Sequence, residues 1–101
     1  MTAPRQIIIR PEAEDDLREA HDWYEAQRAG LGSDLAAAVD VGIEAIRAHP
    51  LRYPEVSAGV RRHLIKRFPY GVFYVVEDDR VVVIAIFHGS RDPKGWQGRL
   101  P

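Results

Sequence analysis

The most apolar stretch of the chain, Val81-Val82-Val83-Ile84-Ala85-Ile86-Phe87, runs directly into His88, with Arg91 three residues further on. An imidazole can take or give a proton near neutral pH, and a guanidinium can hold a phosphate or carboxylate through paired N–H bonds. Mounted where a strand leaves the core, such groups meet solvent from a rigid base. The same residues also suit a strand end without chemistry: His88 closes the strand, Gly89 supplies a turn and Arg91 pairs with Asp92. The His-x-x-Arg spacing belongs to no single mechanism, so both readings stand.

Two further clusters carry polar chemistry. Arg61, Arg62 and His63, followed by Lys66 and Arg67, crowd cations into one strand-like segment. They suit a phosphate-binding surface, and equally the charged edge strand that protects a sheet from aggregation. Phe68-Pro69-Tyr70, with Tyr74 beyond, sets aromatic rings beside those cations. They could stack on bases or on a partner, or seal the end of a core.

The elements that must hold these groups are legible from pattern. Residues 6–10 (QIIIR) form a short β-branched strand ended by Pro11. Pro11 opens a helix, followed by Glu12, Glu14, Asp15 and Asp16 where the helix dipole favours acids. Ala13, Leu17, Ala20 and Tyr24 make its apolar stripe, and it ends at Ala29-Gly30. A second helix, capped by Ser33, runs to His49 with Leu35, Val39, Gly42 and Ile46 as its stripe. The link Gly30-Leu31-Gly32 permits only an antiparallel helical hairpin. Ala36, Ala37, Ala38, Gly42 and Ala45 would let a neighbour pack closely on the second helix.

Residues 51–59 read as loop. Three strands follow, over 61–67, 71–77 and 80–88. Asp78-Asp79 has the length of a two-residue hairpin turn, which pairs Tyr74 with Val83, Phe73 with Ile84, Val72 with Ala85 and Pro69 with His88. Alternation then puts Val72, Tyr74, Val76, Val81, Val83, Ala85 and Phe87 on one face. Phe73, Val75, Val82, Ile84, Ile86 and His88 take the other. Both faces are apolar, so whichever the helices leave bare must meet more of the chain, a second copy or a partner. The order β-α-α-β-β-β predicts an α+β fold, a helical hairpin on a small antiparallel sheet, with residues 1–101 as one domain.

Composition removes several classes of function. Cysteine is absent, which excludes disulfides and thiolate chemistry and fits a cytoplasmic location. No signal peptide or membrane span is visible, so no membrane partner is expected. The four histidines are too scattered for a metal cage, and no glycine-rich nucleotide loop occurs, so no cofactor is called for. The net charge of −1 conceals an acidic first half and a basic second half. Such a division suits two surfaces with different partners, or simply two solvated ones.

Taken in order, PEAEDDLREAHDWYE, HPLRYPE and RRHLIKRFPYGVFYVVEDDRVVVIAIFHGSRDP, with Trp96 beyond, resemble the RelE/ParE superfamily of type II toxin–antitoxin toxins. The resemblance implies a small toxin neutralised by a cognate antitoxin and assembled with it. It implies one of two targets: DNA gyrase for ParE-like members, or the ribosome for RelE-like members, which cleave mRNA through the ribose 2′-OH. RelE-type nucleases usually begin the strand at 71–77 with an arginine, where this chain has Gly71. Their terminal tyrosine has no clear counterpart either, Trp96 standing nearest. These departures favour the ParE-like branch, a gyrase poison rather than a hydrolase.

Under this resemblance Tyr74, His88 and Arg91 are the candidate catalytic groups. Arg61, Arg62, Lys66, Arg67, His88 and Arg91 are the candidate target contacts. Leu35, Val39, Gly42, Ile46 and Tyr24 are expected to meet the antitoxin, whose apolar side chains would fill a groove beside the hairpin or extend the sheet.

Overall fold

The computed structural model describes residues 6–89 and 98–99. Seven elements follow in order: β1 (Gln6–Ile9), α1 (Pro11–Gln27), α2 (Leu31–Ala48), β2 (Glu55–Ser57), β3 (Val60–Leu64), β4 (Tyr70–Val76) and β5 (Arg80–His88). The strands form one sheet in the order β1-β5-β4-β3-β2, and the helical hairpin covers one of its faces.

The α+β arrangement is the one expected, with two additions. The sheet is mixed, because β1 runs parallel to β5, pairing Ile7 with Val81 and Ile9 with Val83. No hairpin joins these two strands, so nothing forces them to be antiparallel. Part of the expected loop also forms the edge strand β2 against β3.

The start of α1 obeys local rules: Pro11 sits at the first helical position and Glu12 and Glu14 in the first turn. The start of α2 does not. It begins at Leu31, with Gly30 at φ 90° as its cap, and Ser33 lies inside the first turn. The capping acceptor comes instead from α1: the Glu25 carboxylate accepts the Gly30 amide at 2.8 Å and the Gly32 amide at 2.9 Å. Those bonds to Gly30 and then Gly32 hold the Glu25 carboxyl below its ordinary pKa. Gly32 is required on steric grounds as well, since a Cβ there would lie 2.6 Å from the His21 carbonyl oxygen.

Strand β3 stops at Leu64, earlier than the pattern implied. Ile65 turns into the core, and Arg67 takes a left-handed φ of 73°. Phe68 is then buried against Tyr24, ring centroids 5.1 Å apart, so Phe68 belongs to the core, with Tyr70 packed against it and Pro69 exposed.

The hairpin of β4 and β5 carries a bulge. Near the turn the pairing is as expected, Tyr74 opposite Val83, but beyond it Phe73 faces Ala85, Val72 faces Ile86 and Tyr70 faces His88. Ile84 is the extra residue, and it reverses the alternation beyond it. Ile86 therefore packs with Val72, Tyr74, Leu35 and Val39 under the helices, while Ala85 and Phe87 turn to the other side. That other side holds its own core: Val60, Phe73, Val82, Ile84, Ala85 and Phe87 are at most 4% exposed. The second apolar face is closed within the chain and needs no partner to hide it.

Past the end of β1, the outer edge of β5 is completed by side chains. The Asp16 carboxylate accepts the Ile86 amide at 3.0 Å, and the Arg99 guanidinium donates to the Ile84 carbonyl at 3.2 Å. Arg99 also grips both Asp16 oxygens, at 2.6 and 3.2 Å. Two side chains thus supply the acceptor and donor that a neighbouring strand would have offered.

Candidate functional site

The basic segment is split three ways, by the alternation of β3 and by the end of that strand at Leu64. Arg61 points to the helix side, where it donates to the Tyr53 carbonyl at 2.6 Å and lies 3.7 Å from the Glu55 carboxylate. It ties down the loop after α2. Arg62 points to the opposite side, its methylene stem lying over Gly71. Lys66 and Arg67 stand beyond the strand, Arg67 facing Asp34 of α2 at 3.6 Å. The cations do not converge on one phosphate-sized spot.

Gly71 has a packing reason as well as a chemical consequence. A Cβ there would sit 3.0 Å from Cγ and 3.2 Å from Cδ of Arg62. Side by side in sequence with Tyr70, Gly71 looks to the sheet face away from the helices. His88 lies on the helix side, opposite Tyr70, with ring centroids 5.6 Å apart. The bulge makes this separation, since an unbroken strand would turn His88 to the face of Gly71.

Tyr74 is removed from the list of reactive groups. It is fully buried and its hydroxyl donates to the Pro50 carbonyl at 2.7 Å. Burial pushes its pKa up to about 12, so the phenol stays neutral. Arg91, like Trp96, lies outside the described residues.

A groove of about 520 Å³ opens between α2 and β3. Ala37, Ala38, Gly42 and Ala45 make one wall, and Tyr53 and His63 face them. Val41, 69% exposed, stands at its lip, with Asp34, Lys66 and Arg67 around the mouth. Gly42 keeps the floor low: a Cβ would lie 3.1 Å from Ile65 and 3.2 Å from the His63 ring. His63 stacks on Tyr53 at 4.2 Å, and its burial lowers its pKa, favouring the neutral imidazole.

This geometry corrects the expected antitoxin-facing stripe. Leu35, Val39 and Ile46 are fully buried beneath the chain's own sheet, and Gly42 is exposed only enough to floor the groove. Tyr24 is half-buried between Trp23, Phe68 and Tyr70. The surface open to another molecule is the adjacent side of α2, carrying Ala37, Ala38, Val41 and Ala45. The stripe was correctly placed on the helix, but its occupant is intramolecular.

Among the described residues no group of three acidic or histidine side chains could hold a metal ion, and no helix is long and apolar enough to cross a membrane. Residues 7–93 match the family described as ParE toxin of type II toxin–antitoxin system, parDE. The chain belongs to the ParE toxin family.

Solved structures give the ParE-family chain its fold neighbours. One, described as the chromosomal ParDE toxin–antitoxin system from P. aeruginosa, superposes with a TM-score of 0.64 at 18% identity, covering 83% of this chain and 95% of that one. Another, the RelBE2 toxin–antitoxin complex from Mycobacterium tuberculosis, gives 0.61 at 22% identity, covering 85% and 99%. Among curated protein sequences nothing matches. At these identities the neighbours establish a shared fold.

Two parts of this ParE-family surface escaped the sequence. Asp16 reads only as a helix-dipole acid until Arg99, distant in the chain, is brought onto it. Trp23 reads as a family marker, although its 58% exposure makes it a surface feature. Its place outside the Ala13-Leu17-Ala20-Tyr24 stripe was the available signal.

Proposed function

We propose that this ParE-family toxin acts in the cytoplasm by binding DNA gyrase without hydrolysis, and that a cognate antitoxin neutralises it by occupying the groove between α2 and β3. The dispersal of the candidate catalytic groups carries the reading. Cleavage by a ribose 2′-OH needs a base, an acid and a cation around one phosphate. Here Gly71 offers no charge, His88 projects from the opposite face, and the Tyr74 hydroxyl is bonded within the core.

The groove supports the antitoxin part. Its small-residue wall suits the apolar ridge of an amphipathic helix, and Lys66 and Arg67 at the mouth suit acidic residues beside that ridge. Both solved neighbours are described as parts of toxin–antitoxin systems. Lys66, Arg67 and His88, which are exposed, remain the target contacts we favour, with Arg91; Arg61 and Arg62 contribute mainly to packing.

Purified toxin added to gyrase is expected to stop supercoiling and to accumulate cleaved DNA, while mRNA on programmed ribosomes stays intact. Codon-positioned cuts that disappear in His88→Ala would replace this reading with a ribonuclease. Inertness in both assays, with antitoxin still bound tightly, would leave a binding-only member of the family.

A further inference from the structure

A second concavity lies on the opposite side of the helical hairpin from the groove. Asp16, Glu19, Ala20 and Trp23 share one stripe of α1, at the spacings that bring side chains of adjacent turns together. Across from them stand Tyr70, Ile86 and His88, and the space between is a hollow of about 290 Å³. Its walls combine a carboxylate stripe with aromatic rings. Trp23 leans edge-on against Tyr24, centroids 4.9 Å apart, and leaves more than half of its surface to solvent.

The wall of this hollow already binds one guanidinium. Arg99 meets both oxygens of Asp16 in a paired contact, and its Cζ lies 4.9 Å above the Phe87 ring. Carboxylate and ring together hold it, the fork bonding the carboxylate while the cation lies over the ring. One turn along α1 the same two kinds of group recur, with no arginine between them among the described residues. Glu19 is exposed and makes no ion pair or hydrogen bond among the described residues, and Trp23 stands four residues on.

From this repetition we propose that the hollow is a receptor for an arginine side chain displayed by a partner protein. Glu19 takes the guanidinium fork and the exposed Trp23 supplies the stacking wall. Arginine is favoured over lysine because a planar cation uses both the carboxylate and the ring, whereas an ammonium uses them as a point charge. An exposed tryptophan beside a pocket is also a common centre of protein–protein binding energy. The site goes beyond the toxin reading, and its test does not depend on gyrase or on an antitoxin.

The test is a titration of the isotope-labelled full chain, reading the Trp23 indole N–H resonance, assigned by its loss in Trp23→Phe. The probes are Nα-acetyl-arginine methylamide, the matching lysine and citrulline derivatives, and free arginine. The arginine amide is expected to give a saturable shift, the lysine amide weaker binding, and the uncharged citrulline amide none. Glu19→Gln, an exposed and conservative change, is expected to weaken the arginine amide about 3- to 10-fold. Citrulline matching arginine, unchanged affinity in Glu19→Gln, or no saturable shift would each overturn the proposal. Binding of free arginine with an inert amide would overturn the protein source and point to a small-molecule ligand.

Discussion

The Asp16 carboxylate and the Arg99 guanidinium, far apart in sequence and 2.6 Å apart in space, jointly close the edge of β5. Both are mostly buried, and each also bonds the strand backbone. Asp16→Ala is expected to cost about 2–4 kcal/mol, since it leaves the Ile86 amide and the guanidinium without their acceptor. Urea unfolding measures this. The double variant Asp16→Ala/Arg99→Leu should cost less than the two single changes added together, because the pair acts as a unit. Strict additivity would show that the contact does not operate in solution.

Tyr74→Phe removes the bond to Pro50 and is expected to cost about 1–2 kcal/mol while toxicity persists in the protein that remains folded. Lost toxicity at unchanged stability would return Tyr74 to a chemical role. The pH dependence follows from its raised pKa. The folded state keeps the phenol neutral to about pH 12, whereas the unfolded phenol ionises near the ordinary value of 10. Stability from this group is therefore complete below the unfolded value and is lost as pH rises towards 12. Tyr74→Phe should flatten that alkaline decline.

Glu25 gives the opposite limb. Its pKa is depressed by the Gly30 and Gly32 amides, so its contribution is present above the ordinary carboxylate range and lost as pH falls through the depressed value. Glu25→Gln should lower the urea midpoint at neutral pH and narrow its gap to the parent chain in acid. Gly32→Ala tests the same junction sterically. With its Cβ held against the His21 carbonyl, it is expected to cost about 1–3 kcal/mol.

Val41→Asp places a charge at the lip of the groove, where the valine is already exposed. Thermal stability should hardly change, while antitoxin affinity should fall about 10-fold or more, measured by calorimetry. Leu35→Asp should instead unfold the chain, because Leu35 is wholly inside. Equal antitoxin affinity for Val41→Asp would move the binding surface elsewhere.

What could be read in the sequence was what short-range periodicity carries. The stripe Ala13-Leu17-Ala20-Tyr24 oriented α1, and the β-branched runs located β1, β4 and β5. What stayed hidden depended on distant partners. Ser33 is a good local cap, but Glu25 reaches the helix start first because the hairpin folds back onto it. The stripe Leu35-Val39-Ile46 was apolar for the chain's own sheet, and periodicity does not say which surface a stripe will meet. The cations from Arg61 to Arg67 look like one patch in a line of text, but alternation sends Arg61 and Arg62 to opposite faces and Lys66 and Arg67 lie past the end of the strand.

The bulge at Ile84 separates position from side. Beyond it, a residue counted along β5 stands on the face that its neighbour would occupy in an unbroken strand. Roles carried over from a straight-stranded relative by alignment column would thus be assigned to the wrong surface, even with every letter matched. Evolution has the same freedom in reverse: gain or loss of the irregularity, with no substitution at the corner, would exchange what His88 and Phe87 face.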